Sequence, residues 1–316
     1  MSKKLRFQNS HPSLTLRKNR KEGPLFTPSM LLALAVLVVI ILCCIFAPVV
    51  APYSPTAQNT AHSLVSPSAE HLLGADKLGR DLFTRLLYGG RVTLTSALGV
   101  VALSAIIGIP LGLLSGYYGK KVDAVIGRIC DVLLAFPSLL LAFVFVAAFG
   151  RGIRNSIIAL GIVYVPMLTR LVRSLTLVEK NKTYVEAATS IGYSDSRIMF
   201  RHILPNCVST VTVQVTLDLA YAILDLAALS FLGLGVQPPT ADWGAMLEEG
   251  RNFLLQNPLL ALCPGLAIVV IVVALNIFSD GLHQYFEPIQ RKLPSFKKAE
   301  KLEQKRAGRQ EEVAGA

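Results

Sequence analysis

An all-α integral membrane fold of about six transmembrane helices is predicted by three observations: the composition, the length of the apolar runs and the asymmetry of the basic residues. Of 316 residues, 53% are hydrophobic and 16% charged, and the mean hydropathy is +0.53. That leaves too little polar surface to cover a soluble globule. Chain length alone would suggest two soluble domains, but that prior fails where lipid covers the apolar surface, so one transmembrane domain with short tails is the better count.

Length justifies each span. The run at 30–50 has 21 residues, which at ~1.5 Å per residue reach about 31 Å, the thickness of a ~30 Å hydrocarbon core. A cleaved signal peptide would carry an apolar region of only ~7–15 residues, and Pro48 is badly placed beside a cleavage site at Ala47, so this run reads as an uncleaved anchor. Further runs at 93–117, 124–149, 156–175, 208–234 and 259–278 are each long enough to cross once. Pro110 and Pro137 fall inside two of them, where the freed carbonyls call for an opening kink or a static bend. Gly108, Gly112 and Gly116 recur every four residues on the second run, a spacing that lets another helix approach closely. Arg128 and Asp131, three apart on the third, are expected to neutralise each other.

Orientation follows from Lys and Arg, which are held on the cytoplasmic side during insertion. With the N-terminus inside, 23 of the 31 basic residues fall in the first tail, the turn at Lys120 and Lys121, the segment 170–201 and the last tail. Both termini are therefore expected in the cytoplasm, with basic tails at 1–27 and 289–316 around a transmembrane domain at 28–288. The net charge of +11 is split among segments that flank spans, with no aromatic interleaving. Topology and anionic lipid account for it, and nucleic-acid binding is not indicated. The five cysteines have no C-x-x-C spacing and read as buried small hydrophobes, and the five histidines lack the i,i+4 pairing of a metal site. Gly119-Lys120-Lys121 lacks both the upstream glycine and the following Ser or Thr of a phosphate loop, so any ATP hydrolysis belongs to another chain.

The loop at 178–206 says most about function. Residues 184–206 read YVEAATSIGYSDSRIMFRHILPN. Thr183 and Glu186 fit a T-x-x-E capping box, Gly192 stands where a left-handed stop is cheap, Ser194 can cap a second helix and Pro205 can end it. Two short helices at a sharp angle make a docking knob. Ala187, Ala188 and Ser190 keep the first helix thin enough to lie in a groove of another protein, with Val185 and Ile191 as apolar contacts.

With its E-A-A and a glycine six residues after the glutamate, this stretch resembles the cytoplasmic coupling loop of ABC importer permeases. Residues 71–94, HLLGADKLGRDLFTRLLYGGRVTL, are similar to that family's H-x-x-G-T-D-x-x-G-R-D-x-x-S-R-x-x-x-G-x-R segment, with Ala75 and Thr84 in place of its Thr and Ser. Residues 229–247, LSFLGLGVQPPTADWGAML, resemble the same group's loop after the fifth span. Three separated motifs in this order resemble the C-type permease subunit of dipeptide, oligopeptide and nickel importers over about residues 30–290. The ending at 276–288 departs from the family's pattern at Ser279, His283 and Gln284, which puts the contacts of that end of the sixth span in question.

The resemblance implies a type I ABC importer permease in the bacterial inner membrane. It implies a heterodimer with a related second permease, two cytoplasmic ATPase subunits and an extracytoplasmic solute-binding protein. No catalysis and no cofactor are expected of this chain, ATP and magnesium being used by the partners. Glu186, Ala187, Ala188, Gly192 and Pro205 are the expected coupling residues. Asp242, Trp243, Glu248 and Glu249 are expected on the outer surface against the binding protein, where Arg80 and Asp81 pair to order the loop. Asp218 and Asp225, two turns apart on one face of the fifth run, line the solute path or pair with a neighbouring helix; about 10 Å of rise between them excludes an aspartic-protease site. Peptides lead as cargo, since a bare metal ion would call for clustered soft or imidazole ligands, whereas a nickel chelate or another small polar solute is the alternative. A secondary transporter would show internal repeats bearing ion ligands, and a scaffold would not need the glycine-hinged knob.

Overall fold

A computed structural model describes residues 27–286, and among them every regular element is helical apart from one isolated bridge between Ala75 and Asp81. The two basic tails and Pro288 lie outside the described residues. By length and composition five helices among the described residues can cross a membrane, and the number is six when a bent helix pair is counted as one broken span.

The first span is α1 (Pro28–Ile45), opened by Thr27, whose side chain accepts from the Met30 N–H, with Pro28 in the first turn where its missing N–H costs nothing. Pro48 does not continue that helix; a single turn, α2 (Ala47–Val50), follows Phe46. The second, α3 (Leu82–Tyr118), starts well before the apolar run, because Asp81 caps it by accepting from Thr84 N–H and its first turns carry Arg85 and Arg91, which lower the local hydropathy. Pro110 sits inside α3 without ending it.

The run at 124–149 is two helices, α4 (Lys120–Leu134) and α5 (Ser138–Phe149), bent by 89° at Pro137. Proline restricts the residue before it to extended backbone and cannot donate into a continuing ladder, so this break is a corner and not a kink. The remaining spans are α6 (Ile153–Lys180) and, beyond the loop, α9 (Leu204–Phe231) and α11 (Leu259–Phe286). Between the last two lies α10 (Trp243–Arg251).

The glycine stripe performs the packing its spacing predicts. A Cβ added to Gly112 would stand 2.6 Å from Val172 Cβ, and one on Gly116 would stand 2.6 Å from Thr176 Cβ, so only glycine lets α6 lie this close to α3. Gly99 meets Ile157 and Gly108 meets Leu168 in the same order, so the two helices run side by side in one direction. One apolar core joins α1, α3, α6, α9, α10 and α11. A second, smaller core forms at the other end of α3 and α6 around Leu113, Leu168, Val172, Ile198 and Ile203.

One sequence-based pairing and one burial expectation are corrected. Asp131 accepts from Arg170 of α6, so Arg128 is not its partner. Cys44, Cys130 and Cys207 are buried as expected, but Cys43 is exposed on α1. The divergent end of the sixth span is well held: Ser279 Oγ donates to Val213 O at 3.1 Å, and Gly281 admits Met30 of α1.

Candidate functional site: a knob at one end and a clasp at the other

The loop folds as α7 (Thr183–Ser190), a glycine stop and α8 (Asp195–Ile198). Gly192 has φ +85°, with its N–H donating to Thr189 O and Tyr193 N–H reaching Ala188 O. This pair of bonds is a Schellman stop, the arrangement that needs a left-handed residue at this position. No atom lies within 4 Å of a Cβ built on Gly192, so backbone conformation alone selects glycine there.

The start of α7 differs from the capping-box reading. Lys182 occupies the cap position and no side chain caps the helix; Thr183 is already helical. Glu179 at the end of α6 anchors this corner instead, accepting from Lys182 Nζ at 2.6 Å and from Tyr184 OH at 2.7 Å. Ser194 holds the expected cap position of α8 without a side-chain bond. Pro205 does not end the second helix. A π turn over Met199–Ile203 carries α8 directly into α9, with Pro205 in the first turn of α9. A proline ring crowds the carbonyl four residues back, here Arg201, and the wider π turn lies there. The knob is therefore one short helix plus the projecting end of a span.

Val185 and Ala188 are buried against the chain's own second core, which is why they cannot serve as apolar contacts for a partner. Glu186, Ala187 and Ser190 lie on the opposite face and are exposed, as is Ile191 at 72%. The knob is tied to three spans: Tyr117 OH of α3 donates to Asp195 Oδ1 at 2.9 Å, Tyr184 OH donates to Glu179 Oε2 of α6 at 2.7 Å, and Asn206 Nδ2 of α9 donates to Tyr184 OH at 3.4 Å. Sequence reasoning missed Tyr117 because its partner Asp195 is 78 positions away, and Glu179 and Tyr184 because, although five apart, they face each other only across the corner between α6 and α7.

Within the spans, Asp225 accepts from Tyr164 OH of α6 at 2.7 Å, and Asp218, 6% exposed, accepts from Gln214 one turn earlier at 2.8 Å. Asp225 thus ties α9 to α6. The two aspartates have separate partners and form no dyad.

At the opposite end of the bundle, the motif at 71–94 builds a clasp. Asp76 accepts from the Leu78 and Arg80 N–H groups, from Arg80 Nε at 2.6 Å and from Arg85 Nη1. Glu249 of α10 closes the group, accepting from Arg80 Nη2 at 2.9 Å and Arg85 Nη1 at 2.7 Å. Burial alone would raise the Asp76 pKa, but Arg85, Arg80 and the backbone donors outweigh it and hold the carboxyl below its ordinary value. Arg80 does not pair with Asp81. Asp81 caps α3 and meets His71 Nδ1 at 3.0 Å, because it points into the helix start while Arg80 turns towards Asp76. Thr84, where the family pattern has Ser, is fully buried with no partner for its hydroxyl.

Asp242 and Trp243, expected on the outer surface, are 4% and 2% exposed. Asp242 caps α10 by accepting from Ala245 N–H and takes a second bond from Ser230 Oγ at 2.7 Å; burial, only partly offset by these donors, raises its pKa. Trp243 Nε1 donates to Leu86 O at 2.9 Å, and its ring lies where a Cβ on Gly90 would stand at 2.6 Å. The Gly89-Gly90 pair is thus the seat of Trp243, a signal visible in the sequence as two glycines inside a helix. Of the four residues, Glu248 remains half-exposed and meets only Arg251, at 3.6 Å.

A bundle with a knob tied to its spans at one end and a charge clasp at the other can transmit a push along rigid spans. The model of the binding-protein-dependent transport system inner membrane component family matches residues 108–292, and that of the N-terminal TM domain of oligopeptide transport permease C matches 28–67. A dipeptide transport system permease protein DppC of Alkalihalophilus pseudofirmus is 43% identical over 258 residues, 82% of this chain and 85% of that one. A di/tripeptide permease DppC of Pseudomonas aeruginosa is 44% identical over 80% of this chain and 85% of its own length. A glutathione permease GsiD of Escherichia coli is 46% identical over 86% of this chain and 88% of that one. In fold, the chain is similar to one from the inward-facing MetNI methionine ABC transporter, with TM-score 0.52 at 18% identity, covering 63% of this chain and 95% of that one. With a family model spanning more than half of its length and relatives above 40% identity over four-fifths of it, this chain belongs to the binding-protein-dependent transport system inner membrane component family, as a multi-pass membrane permease.

Proposed function

We propose that this chain is one of two related permease subunits of an ATP-driven importer that brings short peptides across the inner membrane. The reading rests on the exposed face of the knob at Glu186, Ala187, Ser190 and Ile191, carried on spans that are packed through a glycine stripe with no give. ATP and magnesium are bound and used by two cytoplasmic ATPase subunits, not by this chain. Closure of those subunits pushes the knob, and α9 carries the displacement inwards without a break. An extracytoplasmic binding protein delivers cargo to the other end, and both termini lie in the cytoplasm.

Short peptides are favoured because the dipeptide, di/tripeptide and glutathione permeases named above share more than two-fifths of their residues with this chain over most of its length. Glutathione is itself a tripeptide, so one chemical class covers all three. The test is uptake of a labelled tripeptide by proteoliposomes holding the complete complex. ATP-dependent uptake that needs the binding protein and persists without a proton gradient supports the reading; gradient-driven uptake indifferent to ATP overturns it.

A further inference from the structure

The outer end of the bundle carries six acidic and seven basic side chains over 51–91, 150–154 and 232–258, nearly balanced by count. Burial sorts them by sign. Asp76, Asp81 and Asp242 are buried, Glu249 is engaged by Arg80 and Arg85, and Glu248 meets Arg251. What stays exposed and unengaged is basic: Lys77, Arg91, Arg151 and Arg154, against Glu70 alone. Among the described residues no carboxylate lies within ion-pair distance of Arg91, Arg151 or Arg154.

Three of these cations lie at the same level of the bundle. Because α3 and α6 run in the same direction, their outer ends are level, and Val92 and Ile153 line one small cleft together with Asp242. Arg91 and Arg154 are the chain neighbours of those two residues, and Arg151 lies at the turn whose Gly152 N–H donates to Leu234 O. Height argues against lipid as their partner. If Tyr118 marks the inner boundary, ~30 Å of hydrocarbon accounts for roughly 20 residues of α3 and places Arg91 about 10 Å above the outer edge.

We propose that Arg91, Arg151 and Arg154 form a basic docking surface for an acidic patch on the extracytoplasmic solute-binding protein. The proposal rests on the importer reading and reverses the sign expected from the sequence, where acidic residues of α10 were to meet that partner. Unpaired exposed cations at the rim of a contact steer encounter and fade with salt.

The test uses the complete complex in nanodiscs of zwitterionic lipid, with the solute-binding protein that restores its uptake as the mobile partner. The triple variant Arg91→Glu, Arg151→Glu, Arg154→Glu is expected to slow association about tenfold or more near 50 mM salt, with the gap closing to within about threefold at 500 mM. A milder Arg→Gln trio, expected to slow it about threefold, serves if the reversed variant does not co-elute with the other subunits. An association rate and salt dependence equal to wild type in the Gln trio would overturn the proposal, as would an effect confined to nanodiscs of anionic lipid. A wild-type complex that never co-elutes with an ATPase would sink the importer reading instead.

Discussion

Replacing Asp76 by Asn removes one of two carboxylates that hold two buried guanidinium groups, and the structure fixes what is left. Arg80 and Arg85 then share Glu249 alone, so the clasp carries an uncompensated positive charge while the new side-chain amide offers a donor where two arginines approach. Breaking a buried pair in this way costs about 3–5 kcal/mol. The backbone around Asp76 reports it directly, since the Ala75, Asp76 and Leu82 N–H groups donate to Val65 O, Arg80 O and Gly74 O. Hydrogen exchange of these three amides in the purified complex should accelerate roughly 100- to 4000-fold, at ~1.4 kcal/mol per factor of ten. Removing Arg85 as well, by Arg85→Gln, restores the balance of charge and should recover part of the protection, which a double-mutant cycle reads as coupling. Acceleration of less than about threefold in a folded Asp76→Asn protein would show that the clasp does not hold the outer loop.

The same carboxyl gives a pH test with a definite sign. Its folded pKa is lowered, so the stability it adds is present above the unfolded value of about 3.9 and is lost as pH falls through the lower folded value. The difference in protection between wild type and Asp76→Asn should therefore stay constant from pH 8 to about 5 and shrink only below about 4; a difference that collapses near pH 6 contradicts it. Gly192→Val places a β-branched residue at φ +85°, a strain of ~1–2 kcal/mol. Uptake should fail while membrane abundance holds, and wild-type uptake at normal abundance would refute the hinge. Gly112→Leu should part α3 from α6 and lower the thermal midpoint of the complex by the equivalent of about 1–3 kcal/mol or more. Gly127→Leu, whose Cβ would meet nothing within 4 Å, should leave the midpoint nearly unmoved.

Features with a local cause were legible in the sequence. Apolar length located the spans, three glycines recurring every four residues marked the face of α3 on which another helix packs, and Gly192 announced the stop because left-handed backbone is a property of one residue and its neighbours. What depends on distant partners was not legible. Arg80 and Arg85 are held jointly by Asp76 and by Glu249, the latter more than 160 positions away from either arginine, so Asp81, adjacent to Arg80, looked like the natural partner. The acidic residues of α10 read as surface because charge normally is surface; here Asp242 caps a helix and Trp243 fills the gap above Gly90. Pro110 and Pro137 look alike in an apolar run, yet one lies within a helix supported by α6 and the other turns the chain by 89°. Pro205 read as an end because the π turn that precedes it leaves no mark in composition.

The central claim is that the knob meets a nucleotide-hydrolysing partner in the cytoplasm, and a photo-crosslinking residue in place of Ile191, 72% exposed at the tip, tests it most directly. Irradiation of intact membranes should yield an adduct with an ATPase subunit whose amount changes when ATP is trapped. An adduct formed only with an extracytoplasmic protein would contradict the claim.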